Sequence, residues 1–237
     1  KTWNHYSIVD PVADRDTGQF TYSFQLPTWF VSNYAVTATG PTSGVATTSF
    51  TDLSIGTYDQ CSNDLGTGYS SGDTGCRWIN GNLQSNNSTY FEGDATVQRV
   101  WLTEFAPGTT HTLTLQYGTT KGGQHAYDFL TTWDWSEDWI LEADRCQGIP
   151  GCVDLAESKL DIPQDPNVPD SFEPSTPGDR QFTMRGGTLT GTPTTPTVVS
   201  GDYTGDSETV ITINFTVASS GDMCPTNGPD AGTCSVA

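Results

Sequence analysis

The clearest pattern along the chain is a period of two. In Gln19–Leu26, QFTYSFQL, the residues Phe20, Tyr22, Phe24 and Leu26 alternate with Gln19, Thr21, Ser23 and Gln25. In TVITINFTV, Ile211, Ile213, Phe215 and Val217 alternate with Val210, Thr212, Asn214 and Thr216. Successive side chains of a strand point to opposite faces, so each stretch predicts a strand with one oily and one wet side. Val97–Tyr117 reads as strand, tight turn, strand. Pro107-Gly108 supplies the turn, Pro with a preset φ and Gly with tolerance for positive φ. Beyond it Leu113, Leu115 and Tyr117 alternate with Thr112, Thr114 and Gln116. Residues 34–39 and 45–55 are Thr-, Val- and Ser-rich, punctuated by Gly40-Pro41 and Ser43-Gly44, and predict two more strands. QFTMRGGTLTG and PTVV, within 181–199, continue the series. Asn80-Gly81 predicts a type I′ hairpin turn, and Val153–Leu160 a short helix of about two turns.

These elements predict an all-β protein: an antiparallel β-sandwich, Ig-like or jelly-roll-like, with one short helix and long disulfide-closed loops. The expected layout places the main strands in 1–160 and a Pro-rich extended strap in 161–180, with Pro163, Pro166, Pro169, Pro174 and Pro177. The segment 181–237 then supplies the remaining strands of the same sandwich or a small second β unit.

Composition narrows the setting. The chain has 237 residues, 34% hydrophobic, with seven Trp, nine Tyr and ten Phe, so its core is expected to be built from rings. No apolar run is long enough to cross a bilayer as a helix. There is no n-region followed by an h-region, and the expectation is a start from which any signal peptide has been removed. Net charge is −19, which repels nucleic-acid phosphates and anionic lipid. Six cysteines form close sequence pairs, Cys61 with Cys76, Cys146 with Cys152 and Cys224 with Cys234. Six cysteines allow about fifteen connectivities, and neighbour pairing is the reading adopted because each pair brackets a Gly-rich loop. Closing such loops is worth roughly 2–3 kcal/mol each. Zinc is disfavoured, since no Cys-x-x-Cys or Cys/His cluster is present. Disulfides indicate an extracellular or cell-surface location.

Candidate chemistry is sparse. Asp59, Asn63, Asp64 and Asp73 give the first bracketed loop oxygen ligands that suit calcium, the one cofactor considered, although solvated turn residues are the plainer reading. Asp14–Gly18 has a faint calcium-loop look without the remaining ligands. Sequons occur at Asn86, Asn87 and Asn214. Trp133, Trp135 and Trp139 crowd beside Asp134, Glu137 and Asp138. Rings of this kind stack on sugars, and paired carboxylates flank a glycosidic bond in hydrolases. Adjacent acids on one short segment do not thereby face each other, so packing at a sheet edge is preferred and no catalytic residue is assigned. His5 reads as a surface or half-buried residue, and His125 has no Ser or Cys nucleophile context.

Phe105-Ala106-Pro107-Gly108-Thr109-Thr110-His111 resembles the L-x-P-G-T-x-Y corner of fibronectin type III and related Ig-like domains, with His111 at the tyrosine position. The stretch WLTEFAPGTTHTLTLQYGTTKGGQHAYDFLTTWDW resembles modules of uncharacterised large secreted bacterial surface proteins with Ig-like repeats. In that set the module comes early and the chain usually continues beyond the present end. This resemblance implies an extracellular location and no activity. The expected role is a non-enzymatic structural subunit or module of an extracellular filament, sheath or adhesive assembly. It would self-assemble into a homopolymer by strand addition. A secreted carbohydrate-binding module that takes glycans on a Trp/Tyr face is the alternative, and a glycoside hydrolase is the more distant one.

Overall fold

The computed structural model describes residues 33–40, 44–51, 54–63, 76–136, 145–168, 180–228 and 230–237. Among the sequence expectations, the Gln19–Leu26 strand, the Asp14–Gly18 turn, His5, Trp139, Glu137, Asp138, Asp64, Asp73 and most of the Pro-rich strap lie outside these residues. The chain divides into two compact units, Lys1–Ser54 and Ile55–Ala237. In the first, β1 (Asn33–Gly40) and β2 (Gly44–Thr51) form an antiparallel hairpin in register from Asn33↔Thr51 to Gly40↔Gly44. Gly44, the first residue of β2, adopts positive φ, a conformation that costs Gly least.

The second unit carries two larger sheets. One has the order β13-β5-β3-β4, with β3 (Ser54–Ser62), β4 (Arg77–Ile79), β5 (Gln98–Phe105) and β13 (Cys234–Val236). The other has the order β10-β12-β6-β7, with β11 also on β12. Its members are β6 (Thr110–Lys121), β7 (Gln124–His125), β10 (Gly187–Thr190), β11 (Thr197–Gly201) and β12 (Ser207–Val217). A two-stranded ladder joins β8 (Ser158–Asp161) to β9 (Gln181–Met184).

The alternation on β12 sorts as expected. Ile211, Ile213, Phe215 and Val217 are buried, and Asn214 is exposed. Opposite them on β6, Leu113, Leu115 and Tyr117 are half-buried. The wet face is tied across the same pair: Thr110 to Thr216 (3.0 Å), Thr112 to Asn214 (2.7 Å) and Thr114 to Thr212 (3.1 Å). These hydroxyl and amide pairs support the register fixed by the inner face.

The Val97–Tyr117 stretch is strand, turn, strand, as its pattern predicts. Its strands β5 and β6 belong to different sheets, and the turn between them is a crossing. Thr109 N–H donates to the Ala106 carbonyl (3.3 Å), and Gly108 has φ 73°, the arrangement of a type II turn with Pro at its first corner. Just before it, Glu104 has φ 67°, and β13 shifts register between Cys234↔Phe105 and Val236↔Leu102. That bulge bends β5 toward the corner. His111, at the position where the resemblance expects tyrosine, bonds to a side-chain hydroxyl. Thr109 Oγ1 donates to the Ala106 carbonyl (2.6 Å), so His111 Nε2, 2.6 Å from the same hydroxyl, must be its donor. The imidazole packs between Phe105 (4.5 Å between centroids) and Phe215 (5.7 Å). Burial pushes its pKa below the ordinary value.

Two local expectations are corrected. Val153–Leu160 is not a helix: Asp154 has φ 65°, which interrupts helical winding, and Ser158–Asp161 pairs with β9 as a strand. Asn80-Gly81 does not turn a hairpin. Neither residue has the positive φ of a type I′ turn, and β4 runs on into a turn at Ser85–Asn87. The Gly81 carbonyl instead accepts from Gln60 Nε2 (2.8 Å), which holds the chain against β3.

Candidate functional site

All three disulfides join sequence neighbours: Cys61–Cys76, Cys146–Cys152 and Cys224–Cys234, with no free cysteine among the described residues. Three disulfides fit an oxidising compartment. No helix among the described residues is long and apolar enough to cross a membrane. The Cys146–Cys152 loop packs with Ile149 and Met223, flanked by Trp101, Leu155 and Ala237.

Beside that loop the core is stapled by arginines, although the chain has only nine basic residues. Glu157 accepts from Arg145 (2.7 Å) and Arg185 (2.9 Å), and Lys159 lies 3.5 Å away. Burial alone would raise the Glu157 carboxyl, but the hydrogen bonds and charges of Arg145 and Arg185 outweigh it and hold the pKa at about 2. Arg185 also donates to the Cys152 carbonyl (3.1 Å), and its backbone pairs with Ala237. Arg99 reaches buried Asp59 (3.0 Å) and the Arg145 carbonyl (2.8 Å). Rings cap these cations: Arg99 lies 4.2 Å over Trp78, Arg145 3.9 Å over Trp133, and Arg180 5.5 Å over Phe129. Arg180 donates to the Leu130 carbonyl (2.7 Å) and so holds down the segment after β7.

Several of the sequence candidates make structural contacts here. Trp133 is covered by Arg145 and packs against the Cys61–Cys76 and Val97 cluster. Trp135 is 41% exposed and meets Phe129 edge to face at 6.3 Å. Asp134 is exposed. Of the oxygen ligands in the first loop, Asp59 is held by Arg99, and Asn63 exchanges two hydrogen bonds with the backbone of Thr89 (2.8 and 2.9 Å). No metal-binding group of three or more His, Cys, Asp or Glu occurs among the described residues. His125 pairs with Asp128 on the surface. Asn86 and Asn214 are exposed. Asn87 is half-buried and holds its own turn, accepting from Gln84 N–H (2.8 Å) and Ser88 Oγ (2.6 Å) and donating to the Asn82 carbonyl (3.2 Å).

The feature that single-strand patterns did not reveal is a cleft of about 600 Å³. Val100 and Leu102 of β5 form one wall, Leu113 and Leu115 of β6 another, and Phe129 and Trp135 lie on the segment after β7. The hairpin arm opposite β6 explains the opening. Among the described residues, β6 pairs on that edge at Lys121 and Thr120 with β7, and then Ala126 and Tyr127 donate to Thr119 (2.9 Å) and Gly118 (3.2 Å). Past Tyr127 the arm leaves the ladder, and Thr110–Gln116 has no strand on that edge among the described residues. A signal was present in the sequence, namely Leu113 and Leu115 on a strand whose neighbours alternation alone does not assign. Comparison of the chain with protein-family models, with curated proteins and with solved structures gave no match.

Proposed function

We propose that this chain is a non-enzymatic structural subunit or module of an extracellular filament, sheath or cell-surface adhesive assembly. Its two larger sheets close as an antiparallel sandwich, and copies join by strand addition. The observation that carries the reading is the β6 edge at Thr110–Gln116, which has no strand beside it among the described residues, with an apolar cleft behind it. A strand edge exposes alternate N–H and C=O groups that a neighbouring chain can pair with, and side-chain pockets behind the edge make such pairing selective. Three disulfides and a surface of net charge −19 suit a protein outside the cell. N-glycans, if attached, belong on exposed Asn86 or Asn214 rather than on Asn87. Negative-stain microscopy and sedimentation of the purified chain at rising concentration test the reading. Filaments or sheets are the expected result, and dispersed monomers throughout would sink it.

A second reading has one specific observation behind it. Trp135, exposed beside Phe129 at the cleft, offers a face on which a neutral sugar can stack. Glycan-array binding that disappears in Trp135→Ala supports a carbohydrate-binding module, and silence across a broad array removes it.

A further inference from the structure

We infer that the cleft between β5 and β6 receives Gln19–Leu26 of a second copy, which adds as a strand along Thr110–Gln116. The inference rests on the assembly reading above and names the contact that would make it.

The acceptor has two properties a guest strand needs. The outer edge of Thr110–Gln116 has no ladder partner among the described residues. Leu113 and Leu115 stay half-buried, whereas Ile211, Ile213 and Phe215 beside them on β12 are at most 4% exposed. The inner face of β6 is therefore less covered than that of its neighbour in the same sheet. An added strand would cover it with every second side chain while its backbone paired with the edge.

The chain's own sequence selects the donor. Pro cannot donate to a ladder, so the Pro-rich strap is a poor strand. β1 and β2 are already paired with each other. Gln19–Leu26 has no Pro or Gly and carries Phe20, Tyr22, Phe24 and Leu26 at period two, the spacing that would place rings in the cleft and Thr21, Ser23 and Gln25 in water. Charge points the same way. Copies of net charge −19 repel one another, yet Thr17–Thr51 contains no Asp, Glu, Lys or Arg, and neither does Thr110–Gln116. Neutral donor and neutral edge can meet without bringing carboxylates together, and salt should promote the contact by screening the remainder.

The test uses full-length chains. One preparation carries a photoreactive benzophenone side chain at Tyr22; the other is wild type and isotopically heavy. They are mixed under assembly conditions, irradiated, and read by mass spectrometry. The expected cross-links join the light Tyr22 position to heavy peptides containing Val100–Leu102 or Leu113–Tyr117. They should be lost when the heavy copy carries Leu115→Asp, with circular dichroism confirming that it is folded. They should also be lost when a peptide spanning Thr17–Thr28 is added in excess, a competition that does not depend on any variant folding. Filaments whose light-to-heavy cross-links map elsewhere overturn this contact and leave the assembly reading standing. So do filaments whose cross-links all stay within one copy. Loss of the cross-links to oligosaccharide but not to the peptide overturns the contact in favour of a glycan. Neither filaments nor cross-links between copies overturns both.

Discussion

Between β6 and β12 the side chains are sorted by alternation. Around Glu157 they are sorted by charge. In the first region Ile211, Ile213 and Phe215 turn inward, and Thr112, Thr114 and Asn214 bond across the outer face. On the outer face nothing depends on one partner, because each cross-strand pair adds a small increment. In the second region the 145–162 segment, β9 and β13 have only short strands. They are held by the Cys146–Cys152 and Cys224–Cys234 bridges and by Arg145 and Arg185 converging on one carboxylate. Removal of one member there strands the others in a poorly hydrated site. The comparison teaches that a domain with a thin apolar layer can be closed by a few indispensable contacts. Each polar contact should therefore be costlier to lose at that end than on the outer face of β6 and β12.

The largest effect should come from the shared centre. Phe215 is 1% exposed and meets Phe105 edge-on at 5.6 Å, and Phe215→Ala is expected to cost about 4 kcal/mol in denaturant unfolding. A much smaller loss would mean that the alternating sheet is not what holds the two larger sheets together. Next, Glu157→Gln should cost about 2 kcal/mol, because two guanidinium groups lose their counter-charge together.

The same residue predicts an acid limb. The native Glu157 pKa is about 2 against an ordinary 4.5, so its contribution is complete above pH 4.5 and is lost as pH falls toward 2. Its partly open position limits this share to about 2 kcal/mol. Glu157→Gln should flatten that limb, and an unchanged acid profile would assign it to other carboxylates.

Gly151→Ala should cost about 2 kcal/mol. The residue has φ 73°, and an added Cβ would collide with the Asp222 carbonyl. A neutral result would show that the disulfide loop and the 222–223 segment are not in close contact. Glu104→Gly runs the other way. It removes a non-Gly residue from the left-handed region at the β5 bulge and should stabilise by up to about 1 kcal/mol.

The smallest effect belongs to His111. Its pKa lies below the ordinary 6.5, so the unfolded chain takes the proton first as pH falls. Stability should therefore decline below pH 6.5 until the native imidazole also protonates. A Phe at this position should remove that slope, measured as unfolding midpoint against pH.

Much of the secondary structure was legible in the chain, because a strand with one buried face writes its own period. β12 and β6 could be read residue by residue for that reason, and Pro107-Gly108 announced its turn through backbone sterics alone. The nearest-neighbour disulfides were legible too, since short Gly-rich loops bring their ends together at little entropic cost. What alternation cannot express is which sheet a strand joins. Tertiary packing alone put the strands on either side of the 106–109 turn into different sheets. It also sent Ser158–Asp161 into a ladder despite a helix-like composition, and it gathered Arg99, Arg145 and Arg185 from distant elements onto Asp59 and Glu157. The cleft beside β6 belongs to the same class, because a strand's second neighbour depends on where every other segment goes. Local sequence determines the faces of each strand, and only the meeting of those faces decides what is closed and what is left open.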